Sequence, residues 1–374
     1  MKILIYLAHP AQYHFFKNIM RRLMSDGHEI KLLIKTKDIL EILVQEDGWQ
    51  YENILSRKNG NGVFHHIWSL LKRDFRILRI ARKFKPDILM GSDASVTQVG
   101  WLLGKPRFAV GEDDYSIVRR LHWLMLPFAT TVFAPEICHL GPFERKKIAF
   151  DSYMKLTYLH PDIFQPDKKL LAAENLKSPF CLIRMVDLSA YHDNNCLGLN
   201  GEMVEQLIQF LDKSGYHVYI DTENDMPKEL KEHQLKIKKT RFHHILALAS
   251  LVITDSQSLS VEASVLGVPS IRFNDFAGKI SVLEELEHTY QLTFGIPSKE
   301  PDRLLEKVQE LILNEKRAEI FRQRKEKMLQ EKINPEDFFV WFLGSFPESF
   351  HSIRGKVVNK EFMANIASDK ILYE

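Results

Sequence analysis

Cysteine is scarce in this chain, with three residues in 374: Cys138, Cys181 and Cys196. None forms a CxxC pair and an odd number cannot all pair internally. A disulfide-built scaffold is therefore excluded, and a reduced, cytoplasmic setting is the expectation. Charge of one sign is also missing: the formal net charge is +2, which argues against a dedicated nucleic-acid binder. No apolar run approaches the roughly 18 residues that a bilayer-spanning helix needs. The longest candidate, Leu121 to Pro135, is interrupted by His122 and Pro127. The opening MKILIYLAHP has one basic residue and a short apolar stretch, too little for a signal peptide, and reads as a first buried strand. There is no DxD motif, no His/Cys spacing of the kind that ligates metal, no short repeat and no low-complexity tract.

What is present is a long alternation of strand and helix signals. A chain of 374 residues is too long for one ordinary core, so two domains are expected. With 45% hydrophobic and 27% charged residues the composition is that of a soluble globular protein. Ile3 to Leu7 reads as a strand and His9-Pro10-Ala11 as a turn. From Gln12 onward, Phe15, Ile19 and Leu23 at spacing four, with Phe16 and Met20 beside them, predict an amphipathic helix that Gly27 ends. Strands are expected at Glu29 to Ile34, Tyr51 to Leu55, Ile88 to Met90, Arg107 to Val110, Thr131 to Phe133 and Lys147 to Phe150. Helices at Asp38 to Gln45 and Ile67 to Phe84 lie among them. Such βαβ units imply a mainly parallel sheet.

The breaker-rich run His160 to Asp167 marks a boundary, giving a first domain of residues 1–165 and a second of residues 166–334. The second half starts the pattern again. Strands fall at Phe180 to Met185 and His217 to Asp221, helices at Glu202 to Leu211 and Phe242 to Ala249, and surface helices at Pro301 to Leu313 and Lys316 to Glu331. Residues 335–374 form a tail whose Asp337 to Phe342 run is densely aromatic. A segment so apolar must pack on something; the first domain is the expected surface, and a membrane-touching role is the alternative.

Leu251 to Ile271 carries the strongest chemical signal. An apolar strand ends in Thr254 and Asp255, a polar turn Ser256-Gln257-Ser258 follows, and Leu259, Ala263 and Leu266 mark a helix closed by Gly267. The turn presents unpaired N–H groups and the positive end of a helix dipole, a setting that suits a phosphate or diphosphate. The same unit recurs throughout α/β proteins, and most copies bind nothing.

Two consecutive doubly wound domains with a phosphate-type turn in the second resemble the glycosyltransferase-B (GT-B) architecture. More narrowly, the chain resembles an uncharacterised prokaryotic family of that fold, distantly similar to non-hydrolysing UDP-N-acetylglucosamine 2-epimerases. The resemblance is carried by His9-Pro10-Ala11, His14-Phe15-Phe16, Gly27-His28-Glu29, Lys83 to Asp87 and Leu103 to Pro106. It continues through His160-Pro161-Asp162, Ala190-Tyr191 and Leu251 to Ile271. It implies two Rossmann-like domains facing a central cleft, with a nucleotide-sugar donor in the second domain, an acceptor in the first and a C-terminal helix crossing back to the first.

On that reading the N–H groups of Ser256, Gln257 and Ser258 after Asp255 receive the diphosphate, and Glu262 accepts from ribose hydroxyls. Arg184, ending the first strand of the second domain, either neutralises the leaving diphosphate or serves a structural ion pair. For Glu262 the alternative is an ordinary exposed helix carboxylate. Proton-transfer candidates sit at strand ends of the first domain: His9 and His14, Asp93 after the Ile88 strand, and Glu112 with Asp113 and Asp114 after the Arg107 strand. Mutual repulsion among these carboxylates favours a neutral donor beside a charged base. The resemblance implies no metal and no bound cofactor, only a nucleotide-sugar co-substrate, with UDP the expected nucleotide.

The activity expected is transfer of that sugar to a glycan or lipid-linked acceptor in surface polysaccharide or glycolipid assembly. An epimerase acting on a UDP-amino sugar is the competing chemistry, and a non-catalytic nucleotide-sugar binder the third possibility. Asp93 and Glu112 match acids of the epimerases. However, Val186 to Asp193 lacks the adjacent His-Arg pair expected there, and Asp-Ser-Gln-Ser stands where epimerases have Asp-Ser-Gly-Gly.

One further feature stands apart. Between Arg57 and Lys85 nine Lys/Arg (57, 58, 72, 73, 76, 79, 82, 83, 85) face one acid, Asp74. Leu70, Leu71, Phe75, Leu78 and Ala81 are expected as the buried stripe of the same helix. A solvated helix face is the common use of such charge. Peripheral contact with an anionic membrane at the cytoplasmic face is the functional one.

Overall fold

The computed structural model describes residues 1–37, 39–55, 63–185, 198–222, 226–353 and 355–371. The chain divides into two compact units, Met1–Tyr158 with Lys332–Glu374, and Leu159–Glu331.

The first unit is built on a parallel sheet. Its strands are β1 (Lys2–Leu7), β2 (Glu29–Lys35), β3 (Tyr51–Leu55), β4 (Ile88–Gly91), β5 (Arg107–Val110), β6 (Thr131–Pro135) and β7 (Lys147–Phe150). With the short strand Val357–Val358 added beside β7, eight strands run in the order Val357–Val358, β7, β6, β5, β4, β1, β2, β3. Strand periodicity sorts the core. Ile3, Ile5 and Leu7 point into one apolar layer with Phe15, Phe16 and Ile19 of the Pro10–Ser25 helix. Leu4 and Tyr6 point into the other, with Ile77 and Ala81 of the Val63–Phe84 helix and Val96 and Val99 of the Ala94–Leu102 helix.

The Val63–Phe84 helix corrects one expectation. Ile77 and Ala81 are buried, but Leu71 and Phe75, assigned above to the buried stripe, are 54% and 69% exposed. At about 100° per residue both lie more than a quarter-turn away from Ile77, so they cannot share its face. Apolar identity was read there as burial, and the two are not the same. Arg57 and Lys58 lie outside the described residues.

The chain returns to the first unit at Lys332, whose ammonium donates to Asp151 at 2.7 Å, while Ser152 Oγ donates to the Ile333 carbonyl at 2.7 Å. The Pro335–Gly344 helix then packs on the Pro10–Ser25 helix. Phe339 meets Phe15 edge-on with centroids 5.0 Å apart, and Phe342 meets Phe133 at 4.8 Å and Phe108 at 5.3 Å. Phe338, Phe339 and Phe342 are all fully buried. At about 1.5–3 kcal/mol for each buried ring, the tail is part of this unit's core rather than an appendage.

The second unit holds a five-stranded parallel sheet of β8 (Phe180–Met185), β9 (His217–Thr222), β10 (Leu251–Thr254), β11 (Ser270–Phe273) and β12 (Thr293–Ile296). The strand order is β12, β11, β10, β8, β9. The Gln257–Leu266 helix is pinned to this sheet by buried hydroxyls: Ser260 Oγ lies 2.9 Å from Ser270 Oγ and 2.8 Å from Thr293 Oγ1. Gly267 ends the helix with φ of +79°, the left-handed cap that glycine adopts without strain.

Candidate functional site

Each sheet reverses its strand order once. In the first unit the chain runs outward through β2 and β3, then returns to place β4 on the other side of β1. In the second it runs from β8 to β9, then returns to place β10 on the other side of β8. The carboxyl ends at such a reversal splay apart and form a crevice where open α/β sheets take ligands. The sequence candidates distribute themselves between these two places and the neighbouring end of β5.

In the first unit, His9 follows β1 and Asp93 follows β4. His9 is the N-cap of the Pro10–Ser25 helix, its Nδ1 accepting from the Ala11 N–H at 3.2 Å. With that lone pair engaged, the neutral ring carries its hydrogen on Nε2. His14 lies little more than one turn into the same helix, half-buried, its ring 5.3 Å from that of Tyr158.

Asp93 is the N-cap of the Ala94–Leu102 helix. One carboxylate oxygen accepts from the Ser95 N–H at 2.9 Å and the other from Arg73 Nη1 at 3.1 Å. Gly91 allows this turn, since a methyl there would lie 2.6 Å from the Tyr6 carbonyl oxygen. Tyr6 itself is fully buried beneath, and burial pushes its hydroxyl's ionisation well above the ordinary range.

Glu112, beyond β5, is ion-paired with the buried Lys155. Asp114 is buried and accepts from the His139 N–H at 2.8 Å, whereas Asp113 is exposed. The acids expected to repel one another on a shared rim are thus divided: Asp93 is held by Arg73 and Glu112 by Lys155. Neither pairing was read from the sequence, because Arg73 comes from the Val63–Phe84 helix and Lys155 from the turn before Leu156–Leu159, both remote in the chain, and nothing in the local pattern marks either as a partner.

In the second unit, Asp255 to Ser258 follow β10, and each of the four is partly exposed. Ser256 caps the helix through its side chain, which accepts from the Leu259 N–H at 3.4 Å, and the Ser256 N–H donates to Thr254 Oγ1 at 2.9 Å. Of the three amides expected to receive a diphosphate, Ser256 is therefore used inside the turn. Gln257 and Ser258, the first two helical residues, precede the first intrahelical bond. Asn274 at the end of β11 braces the turn, its amide donating to the Asp255 carbonyl at 3.0 Å and to Gln257 Oε1 at 3.1 Å.

Glu262 is only 8% exposed, which overturns the exposed-carboxylate alternative. Its carboxylate lies 3.5 Å from His243 Nε2, also nearly buried. Arg184, at the end of β8, is ion-paired with Asp221 of β9, which also takes Lys239 at 3.1 Å. Asn274 and His243 went unnoticed in the sequence. The signal available was Phe242-His243-His244 on a helix leading into β10, which places an imidazole beside whatever follows that strand. Among the described residues no group of three or more His, Cys, Asp or Glu is arranged to hold a metal ion. The Val186 to Asp193 loop and Cys196 lie outside the described residues.

No protein-family model matches the chain, and no curated protein matches its sequence. Solved structures do. The UDP-GlcNAc 2-epimerase of Methanocaldococcus jannaschii is 19% identical with a TM-score of 0.61, over 85% of this chain and 94% of that one. The UDP-GlcNAc 2-epimerase of Neisseria meningitidis, solved bound to UDP-GlcNAc, is 12% identical with a TM-score of 0.63, over 94% and 100%. SsfS6, a glycosyltransferase of Streptomyces sp. SF2575, is 14% identical with a TM-score of 0.57, over 92% and 100%. The chain has the GT-B fold, as its sequence resemblance implied, with two parallel sheets in Rossmann-like units and a C-terminal helix packed on the first.

Proposed function

We propose that this protein is a nucleotide-sugar-dependent glycosyltransferase. It would take a sugar from a nucleoside-diphosphate donor, UDP-linked, and pass it to a glycan or lipid-linked acceptor of surface polysaccharide or glycolipid assembly. The observation that carries this reading is the strand-end turn Asp255 to Ser258, at a strand-order reversal, capped by a neutral hydroxyl and followed one turn later by a buried carboxylate.

In this reading the diphosphate accepts from the Gln257 and Ser258 amides and lies at the positive end of the helix dipole. Glu262, steadied by His243, accepts from the ribose hydroxyls. Arg184 tempers the charge of the departing diphosphate while Asp221 holds it in place. The acceptor oxygen attacks the anomeric carbon and the bond from that carbon to phosphate oxygen breaks. Its electron pair leaves with UDP, and the acceptor proton passes to a general base. His14 is the base candidate. His9, with Nδ1 engaged, carries its hydrogen on Nε2, and Asp93, with both oxygens engaged, positions its helix.

A second reading, epimerisation of a UDP-amino sugar, is favoured by the likeness to two epimerases over nearly their whole length. The capture of both Asp93 oxygens, by Arg73 and by the Ser95 N–H, weighs against it, since an acid that matches an epimerase position is already engaged; Glu112 pairs with Lys155 through Oε1 alone.

A thermal-shift series with nucleotides and nucleotide sugars tests the shared premise. A donor at a hundred times its dissociation constant stabilises by about 2.7 kcal/mol, and Glu262→Gln should lose most of that shift. Product analysis then separates the readings. A transferase releases UDP only when acceptor is present, whereas an epimerase interconverts sugar nucleotides without one. Absence of any nucleotide-dependent shift would overturn both.

A further inference from the structure

The Val63–Phe84 helix of the first unit wears an outward face that a solvated helix does not need. Trp68, Leu71 and Phe75 follow one another at spacings of three and four, and are 70%, 54% and 69% exposed. The same stripe continues through Arg79 and Arg82 and is flanked by Lys72, all exposed. Asp74 is the one acid on the helix. Two other cations of the helix are already engaged, Arg73 with Asp93 and Arg76 with the Ile54 carbonyl, so the outward ones are not occupied by these contacts.

The exposed apolar side chains do not stop at this helix. It packs against the Ala94–Leu102 helix, which packs in turn against the Tyr115–Met125 helix, where Gln98 Nε2 donates to the Leu124 carbonyl at 2.8 Å. Those neighbours expose Trp101 and Leu102, and Trp123 and Leu124, each about half accessible. Arg119 and Arg120 are exposed beside them. Aromatic and aliphatic side chains interleaved with lysine and arginine are what a surface needs when it must enter a headgroup layer and meet negative charge there.

We infer that this three-helix face docks on an anionic lipid bilayer, with Trp68, Leu71 and Phe75 entering the headgroup–acyl boundary and Lys72, Arg79 and Arg82 meeting lipid phosphates. Charge complementarity selects this occupant. A second copy docking through a two-fold axis would set the same basic face against itself, with the cations of one copy opposing those of the other. No helix among the described residues is long and apolar enough to cross a membrane, so the face lies on the bilayer.

The test is co-sedimentation of the full chain with vesicles of phosphatidylcholine containing about a third phosphatidylglycerol, against phosphatidylcholine alone. Wild type should pellet with the anionic vesicles at low salt, with tryptophan emission shifted to the blue, and partition at least tenfold less onto neutral ones. The double variant Leu71→Glu/Phe75→Glu should lose at least tenfold in partitioning, and Lys72→Gln/Arg79→Gln/Arg82→Gln a similar factor. Both should keep the wild-type melting temperature and the nucleotide-induced shift, which separates failure here from failure of the donor site. Absence of wild-type pelleting overturns the inference. So does a Leu71→Glu/Phe75→Glu protein that binds as wild type does, which would reduce the contact to cations alone. A wild-type dimer that this variant turns into monomer, with no vesicle binding by either, would assign the face to self-association instead.

Discussion

Two helices in this protein begin in the same topological setting and reach opposite chemistry. The Ala94–Leu102 helix follows β4 at the strand reversal of the first unit, and the Gln257–Leu266 helix follows β10 at that of the second. The first is capped by Asp93, which brings a negative charge to the dipole and is itself held by Arg73. The second is capped by Ser256, a neutral hydroxyl that satisfies one amide and brings no charge. A helix start that already owns a carboxylate has little left to offer an anion, whereas one with a neutral cap keeps its field for a ligand. The difference teaches that the strand–turn–helix unit is permissive and that its cap decides what it does.

Each cap can be tested by a single substitution. The largest effect is expected from Asp93→Ala, which removes a cap and leaves the largely covered Arg73 guanidinium without its carboxylate. That should cost about 3 kcal/mol, or roughly 6–12 °C in melting temperature, in a scan of the whole chain. A melting temperature within about 2 °C of wild type would show that Asp93 does not serve as the lock described. A smaller change sharpens the other end. Ser256→Asp keeps a good N-cap, so stability should hold within about 0.5 kcal/mol. It would also install in the second unit the charge found in the first. UDP affinity measured by calorimetry should fall at least about tenfold, or about 1.4 kcal/mol, and undiminished affinity would remove the turn from the phosphate site.

The smallest effect concerns pH. His122, buried in the first unit against Tyr115, has its imidazole pushed below the ordinary value chiefly by burial. The folded state therefore favours the neutral ring. The stability this contributes is present above the ordinary imidazole value near 6.5 and is lost as pH falls through the lower folded value. His122→Phe should flatten the urea-midpoint profile between pH 7.5 and 5 by less than about 1 kcal/mol. An unchanged slope would place the acid sensitivity elsewhere.

The fold was largely legible because a buried strand writes itself as an apolar run and a helix as a period near four. Arg107–Val110, Lys147–Phe150 and Phe180–Met185 fall where those runs stand. β12 went unread, since Thr293-Phe294-Gly295-Ile296 is short and holds a glycine. At the sites, residue types were visible and partners were not. Asp93 reads as a strand-end acid, but Arg73 lies twenty residues earlier on a helix whose register had to be known before its side chain could be aimed. The same gap explains Leu71 and Phe75: the pattern counted apolar residues, and only the buried Ile77 and Ala81 show which way the helix was turned. Glu262 and His243 are nineteen positions apart and meet across β10 through tertiary packing alone.

The returning tail has a consequence for biosynthesis. β5, β6 and β7 reach their edge-to-face partners Phe338, Phe339 and Phe342 only after the whole second unit has been translated. On the ribosome, the early-made sheet must therefore wait with one aromatic flank bare while some 180 further residues emerge, at about 5–20 residues per second. A nascent chain stalled near Glu331 would carry that flank uncovered, so the demand for chaperones should peak late in elongation, not at its beginning.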